Sequence, residues 1–389
     1  GAQILDELKP EDKVLVLITR NYGVTDPVLN MGIPGEMLKR GCRVLTLSHL
    51  KGHDVDLSGH YPNLYWPFAQ HILSGAKIIK EHPNLYAVYL TNHGCGPDGM
   101  ISHLFAEIMG DKPYLKIEVD EHQSKVGVIT RIEAFLNSLS HVDNCTERAI
   151  LPETAVLSGQ LLDGKRETKD TKDTKESQQK MVYLPPLSVY TEWMALFLNQ
   201  KGKRTAVLPD YMAQDLHAGK AYSTAKEYCT FLAAAGQIAK RLQETDGEEK
   251  QFLVFQTEGA ETDGMVPEVL RAVLNADGKR AHFVTPFLEQ LLFSEDADVL
   301  WQVLLLGDAW HCLDEEWRKK ARASFREKCA APDAWSWEWT KRLLQEWAAH
   351  VTEGRQLLLA GDPTVLHSAY LNQDMEKAVR EQAFVPVYM

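Results

Sequence analysis

The feature that most constrains this chain is a recurring alternation of short branched-apolar runs with amphipathic stretches of helical length. "KVLVLIT" (Lys13–Thr19) has the composition of a strand, "GIPGEMLKRG" (Gly32–Gly41) the length and terminal glycine of a helix, and "CRVLTLS" (Cys42–Ser48) that of a second strand. The alternation continues with a helix expected over Ala69–Lys80, the strand "LYAVYLT", a helix over Met100–Met109, the strand "YLKIEVD" and a helix over Val126–Leu139. Such β-α-β repetition predicts a parallel sheet covered by helices on both faces, with functional loops at the carboxyl ends of its strands.

The pattern stops from Asn144 to Lys180. "KRETKDTKDTKESQQK" (Lys165–Lys180) mixes both charges and has nothing apolar to bury, so 144–180 is expected to be a solvated linker or excursion. A second alternating block opens at "MVYLPP". It predicts a helix to about Asn199, the strand "RTAVLP", a long helix from Ser223 to Glu244, the strand "QFLVFQT", the loop "EGAETDG", a helix to Leu274 and the strand "RAHFVTP". The expected organisation is α/β, with tandem Rossmann-like (flavodoxin-like) parallel-sheet domains at 1–143 and 181–286. A helical, Trp-rich segment follows at 287–352. The tryptophans of "DAWSWEWTKRLLQEW" are expected in a core, because their spacing arises whenever helices pack on a sheet. Residues 353–389 spell strand, helix and strand, the start of a third β-α-β unit or a return strand, which suggests a piece of a longer protein.

A formal net charge of -12 argues against a chain devoted to nucleic acid or an anionic membrane face. No stretch approaches the roughly 20 apolar residues of a membrane helix, and no signal peptide is legible at the start, so the expected compartment is the cytoplasm. The six cysteines (Cys42, Cys95, Cys145, Cys229, Cys312, Cys329) are widely scattered without a CxxC pair, which fits reduced thiols. No phosphate-binding glycine motif occurs, so nucleotide binding and ATPase activity are not expected of this chain itself.

The loop "TNHGCGPDG" sets Cys95 between Gly94 and Gly96 at a strand-to-helix junction, with Pro97 and Asp98 opening the next helix. A cysteine there can be a nucleophile, a soft-metal ligand or a buried thiol beside a turn, and the helix start can hold an anion. No partner base is evident. "DEH" (Asp120, Glu121, His122) at the next strand end is near by topology, and it can equally cap the following helix. Cys42, Cys145 and Cys329 have no neighbouring motif and are expected to be structural. His311 and Cys312 are adjacent and point about 100° apart on a helix, so they are not read as a ligand pair.

"NHGCGPDGMISHLF" followed by "KIEVDEHQSKVGVITRIEAFL" resembles a segment of the large CoA-substrate-specific enzyme activases. These are related to activators of 2-hydroxyglutaryl-CoA dehydratase and, in this region, to the dehydratase subunits and double-cubane cluster proteins. The matching residues are Gly94, Cys95, Gly96, Pro97 and Asp98, then Asp120, Glu121, His122, Gly127, Thr130, Arg131, Ala134 and Phe135. Upstream, Arg20, Tyr22, Asp26, Pro27, Asn30, Gly32, Ile33 and Pro34 match the family's R-P-Y-x-x-x-D-P-x-x-N-x-G-I-P, with Asn21 in place of proline. "EYCTFLAAAGQI" resembles a further segment through Cys229, Gly236 and Gln237, and in "QTEGAETDG" Glu261 stands where the family has cysteine.

The resemblance implies an electron-transfer role of the kind used by anaerobic bacteria. Cysteines converge on an iron–sulfur cluster (4Fe–4S or related), ATPase domains of the same full-length protein drive an electron through it, and a 2-hydroxyacyl-CoA dehydratase-type enzyme accepts it. By that resemblance Cys95 and Cys229 are the metal ligands, and Glu261 would offer a hard oxygen where soft iron prefers sulfur. The alternatives are a cluster-free scaffold of the same family and a module that binds acyl-CoA or another anion at the Cys95 helix.

Overall fold

The computed structural model describes residues 2–120, 125–140, 180–244, 250–257, 259, 261–279, 281–287, 291, 294 and 296–388. The chain is α/β. It divides into two units: the first holds 1–153 with 223–228 and 258–277, the second 154–222, 229–257 and 278–389. Two short pieces of the second alternating block, 223–228 and 258–277, thus belong to the first unit. The expected linker at 144–180 lies outside the described residues except for Lys180.

In the first unit β1 (Val14–Ile18), β2 (Arg43–Thr46), β3 (Leu85–Asn92) and β4 (Leu115–Val119) form a parallel sheet in the order β2-β1-β3-β4. Every side chain of β1 is buried, the pattern of a central strand covered on both faces. Alternate residues Leu15, Leu17, Val88, Leu90 and Ile117 meet Ile33 and Met37 on one helix and Val128, Ile132, Phe135 and Leu139 on another. The spacing of the last four is one stripe of an α-helix. On the other side Tyr89 stacks on Phe105, their ring centroids 4.4 Å apart. Gly75 lets the helix Pro67–Glu81 close onto the sheet, since a Cβ there would lie 2.4 Å from Leu47 Cδ1.

The second unit repeats the topology. β5 (Met181–Leu184), β6 (Thr205–Val207), β7 (Lys250–Leu253) and β8 (His282–Val284) form a parallel sheet in the order β6-β5-β7-β8. The Trp-rich segment forms helices Ala297–His311, Glu315–Lys328 and Trp337–Ala348, and Trp193, Trp310, Trp339 and Trp347 are buried with Phe325 in one core. Cys329 lies in the same core, where burial pushes its thiol up to about 12. β9 (Arg355–Leu359) and β10 (Phe384–Tyr388) pair in parallel as a separate two-stranded sheet within this unit.

Two local expectations are corrected. The long helix expected from Ser223 starts instead at Cys229, because Ala225 takes a left-handed conformation (φ 66°). There the Glu227 carboxylate also accepts hydrogen bonds from the Ser223 hydroxyl and from the Thr224 N–H and hydroxyl, a local closure that competes with helix. A further helix, Ala213–Gly219, sits where none was expected. Among the described residues no helix is long and apolar enough to cross a membrane.

Candidate functional site

In a sheet ordered β2-β1-β3-β4 successive connections depart in opposite directions from the carboxyl ends of β1 and β3, and the crevice between those ends is where such folds place ligands. The chain leaves β1 through Thr19 and Arg20, and leaves β3 through His93, Gly94 and Cys95. Gly94 adopts φ 64°, the left-handed region that glycine enters without penalty, and this turn sets Cys95 at the N-cap of the helix Gly96–Met109. Pro97 presets the first helical turn. The helix therefore begins four residues before the expected Met100.

Asp98, in that first turn, is buried. Its Oδ2 accepts the Asn92 N–H at 2.9 Å, and its Oδ1 accepts Arg20 Nε at 3.0 Å and Nη2 at 2.7 Å. The same Nη2 lies 2.9 Å from Cys95 Sγ, and the guanidinium sits 4.0 Å above the Phe68 ring. One planar cation is thus held on three sides, by carboxylate, sulfur and ring. Partial burial works against its charge, yet the bonds and charge of Asp98 raise Arg20 above its ordinary value. Tyr22, exposed nearby, accepts the Asn92 side-chain N–H at 2.6 Å.

Residues 223–228 form a polar support beside the helix. Lys226 Nζ, buried, donates to Thr91 Oγ1 at 2.7 Å and lies 3.4 Å from Glu118 Oε2, while Glu227 Oε1 lies 2.9 Å from His103 Nε2. Burial alone would raise Glu227, but His103, Ser223 and Thr224 hold its carboxyl well below the usual range. Gly96 and Gly99 make room for this support: a Cβ on Gly99 would lie 2.8 Å from the Lys226 Cβ, and one on Gly96 3.1 Å from the Tyr228 hydroxyl. Sequence reading missed Lys226 and Glu227, which fall inside the helix expected from Ser223 to Glu244.

Of the expected site residues, Arg20, Tyr22, Gly94, Cys95, Gly96, Pro97 and Asp98 come together. Asp120 follows β4 and is half-buried, Arg131 is exposed on the helix Lys125–Ser140, and Glu121 and His122 lie outside the described residues. Cys229 is exposed at the start of the helix Cys229–Gln243 in the second unit. Glu261 is exposed just before the short turn Thr262–Met265 of the first unit. Among the described residues no group of three or more His, Cys, Asp or Glu is gathered to hold a metal ion. Iron–sulfur clusters are usually held by four cysteine thiolates. The described residues of this site supply one thiol, which fits a single corner of a cluster and not the whole group.

No family model, curated protein or solved structure matches the chain.

Replacing Asp98 by alanine removes the acceptor of a buried backbone N–H and leaves a half-buried guanidinium unpaired. The expected cost is about 2–4 kcal/mol in urea denaturation of the first unit. Asp98→Asn, which keeps an acceptor for Asn92, should lose about half as much.

Proposed function

We propose that this chain is the cysteine-presenting redox component of an ATP-driven activator of 2-hydroxyacyl-CoA dehydratase-type enzymes, acting in the cytoplasm with ATP hydrolysis supplied by separate domains. The observation that supports the reading best is the placement of Cys95: an N-cap sulfur at the mouth of the β1/β3 crevice, 2.9 Å from a guanidinium that Asp98 keeps in position. A soft donor at a helix start, beside a fixed cation, suits a ligand that must carry negative charge. The remaining ligands would come from residues outside this site.

The test is anaerobic reconstitution with iron(II) and sulfide, followed by iron and acid-labile sulfide analysis and electron paramagnetic resonance. The expected result is bound iron and sulfide that Cys95→Ala abolishes, with the circular dichroism unchanged because the Cys95 side chain makes no capping hydrogen bond. Absence of iron in the unaltered protein, or equal iron in the variant, overturns the reading. A specific observation favours a second one, a cluster-free scaffold: a carboxylate, Glu261, replaces the expected third thiolate, and the described residues gather no three-donor group.

A further inference from the structure

The second sheet, ordered β6-β5-β7-β8, has its own reversal of chain direction beyond the carboxyl ends of β5 and β7. Four residues past the end of β5, Ser188 opens the helix Ser188–Gln200 with φ 52°, a left-handed conformation that costs a non-glycine residue on the order of 1–2 kcal/mol. Strain of this kind is retained where a side chain must be presented at a sharp strand-to-helix turn.

Ser188 Oγ lies 3.5 Å from Nε2 of His311, the last residue of the helix Ala297–His311. His311 is 2% exposed, and its Nδ1 has no hydrogen-bond partner among the described residues. That nitrogen faces Glu376 Oε2 at 3.6 Å. The carboxylate is itself fixed: Tyr388 donates its hydroxyl to Oε2 at 2.8 Å, Arg380 donates Nε to Oε1 at 2.9 Å, and Arg318 also donates to Oε1. Both gaps at His311 are somewhat longer than a hydrogen bond, the spacing common in resting sites before substrate draws the groups together.

The imidazole is confined by Tyr388, His367 and Tyr190, with ring centroids 4.4, 5.3 and 5.8 Å away. Gly307 permits this packing, since a Cβ there would meet Tyr190 Cε1 at 2.2 Å. Burial and the neighbouring His311 push His367 down to about 4, so it is neutral near pH 7 and adds no charge to the site. Burial would raise Glu376, but His311, Arg318 and Tyr388 hold it well below the usual carboxylate range. Ser188, His311, His367 and Glu376 line an open cleft of about 730 Å³. The lining mixes the cations Arg318, Lys319, Arg322, Lys377 and Arg380 with the carboxylates Glu315, Asp374, Glu376 and Glu381, several of them ion-paired with one another, and Arg318 Nε, buried in the wall, has no acceptor among the described residues.

We propose that Ser188, His311 and Glu376 are the nucleophile, base and orienting carboxylate of a hydrolytic site for an ester or thioester. Ser188 Oγ forms a bond to the acyl carbon as His311 Nε2 takes the hydroxyl proton. The carbon–oxygen or carbon–sulfur bond to the leaving group then breaks, and the leaving group takes that proton from Nε2. Water attacks the acyl-serine, Nε2 accepts one water proton and returns it to Ser188 Oγ, and the carboxylic acid departs. Glu376 stays ionised throughout and balances the transient imidazolium. The first N–H groups of a helix lack intrahelical acceptors, so those beside Ser188 can face the oxyanion. This site is independent of Cys95, and its failure would leave the redox reading untouched.

The test treats the purified chain with a fluorophosphonate, which forms a phosphorus–oxygen bond to an activated serine with loss of fluoride, and maps the adduct by peptide mass. Hydrolysis of p-nitrophenyl acetate is measured alongside. The expected results are an adduct on Ser188 and at least a 100-fold loss of hydrolysis in Ser188→Gly and in His311→Gln. Ser188→Gly relieves the left-handed backbone while removing the hydroxyl, so it should remain folded even if His311→Gln does not. No adduct on Ser188, or hydrolysis retained in Ser188→Gly, overturns the catalytic assignment.

Discussion

Gly236→Ala lowers the stability of the second unit by about 3 kcal/mol or more, an expectation set by backbone and not by side chains. A Cβ on Gly236 would lie 1.9 Å from the carbonyl oxygen of Asp215 and 2.6 Å from the Gly219 nitrogen. The converse holds on the facing helix, where a Cβ on Gly219 would lie 1.9 Å from the Leu232 carbonyl oxygen. The helices Ala213–Gly219 and Cys229–Gln243 thus touch backbone to backbone through paired glycines, and no rotamer change relieves such a clash. Only separation does, and that would open the apolar contacts of Phe231 and Ile238 and strain the 2.8 Å ion pair between Lys240 and the buried Asp215. Thermal or urea melts compare it with Gly35→Ala, a helical glycine with nothing within 4 Å of its Cβ position, which should be neutral or stabilising by up to about 1 kcal/mol. Equal effects at the two positions would show that the helices do not meet at this distance.

Trp193→Ala costs about 3–5 kcal/mol, the usual range for deleting a large buried aromatic. Trp193 is 1% exposed and stacks on Phe325 with centroids 4.0 Å apart and planes 13° from parallel, with Trp347 6.0 Å away. Because Phe325 and Trp347 come from different helices, one truncation loosens the junction of three helices at once. Trp193→Phe, which leaves a smaller void and keeps a ring, should lose less than half as much. Denaturation followed by tryptophan fluorescence checks both, and a loss below 1 kcal/mol for the alanine variant would contradict this packing.

The local elements were legible where a single physical signal dominated. "VLVLI" is apolar at every position and forms β1, and the spacing of Val128, Ile132, Phe135 and Leu139 forms a helix stripe. The stretch 223–228 was misread because its residues are acceptable in a helix. What breaks the helix is a set of bonds from Glu227 back to Ser223 and Thr224, together with packing that has Gly99 as its counterpart more than a hundred residues earlier. Propensity has no access to that partner.

The two sites differ in the same way. The Cys95 loop announced itself through its glycines and proline, and Arg20 and Asp98 were singled out with it, yet nothing local said that one guanidinium would hold both the carboxylate and the sulfur. "LPPLSVY" offers no recognisable nucleophile signature, and His311 looked like a structural neighbour of Cys312. Its exclusion as a metal pair rested on helix geometry, which is blind to a serine 123 positions earlier in the chain.

By itself the amino-acid sequence determined the element types, the parallel α/β class and the presence of a cysteine at a helix start, because these follow from side-chain periodicity and backbone preference over a few residues. The tertiary structure decided the order β2-β1-β3-β4 and its repetition, the return of residues 223–228 and 258–277 to the first unit, and the meeting of Arg20 with Cys95 and of Ser188 with His311 and Glu376. Those depend on which distant surfaces exclude water together, a property of the packed chain that no local window contains.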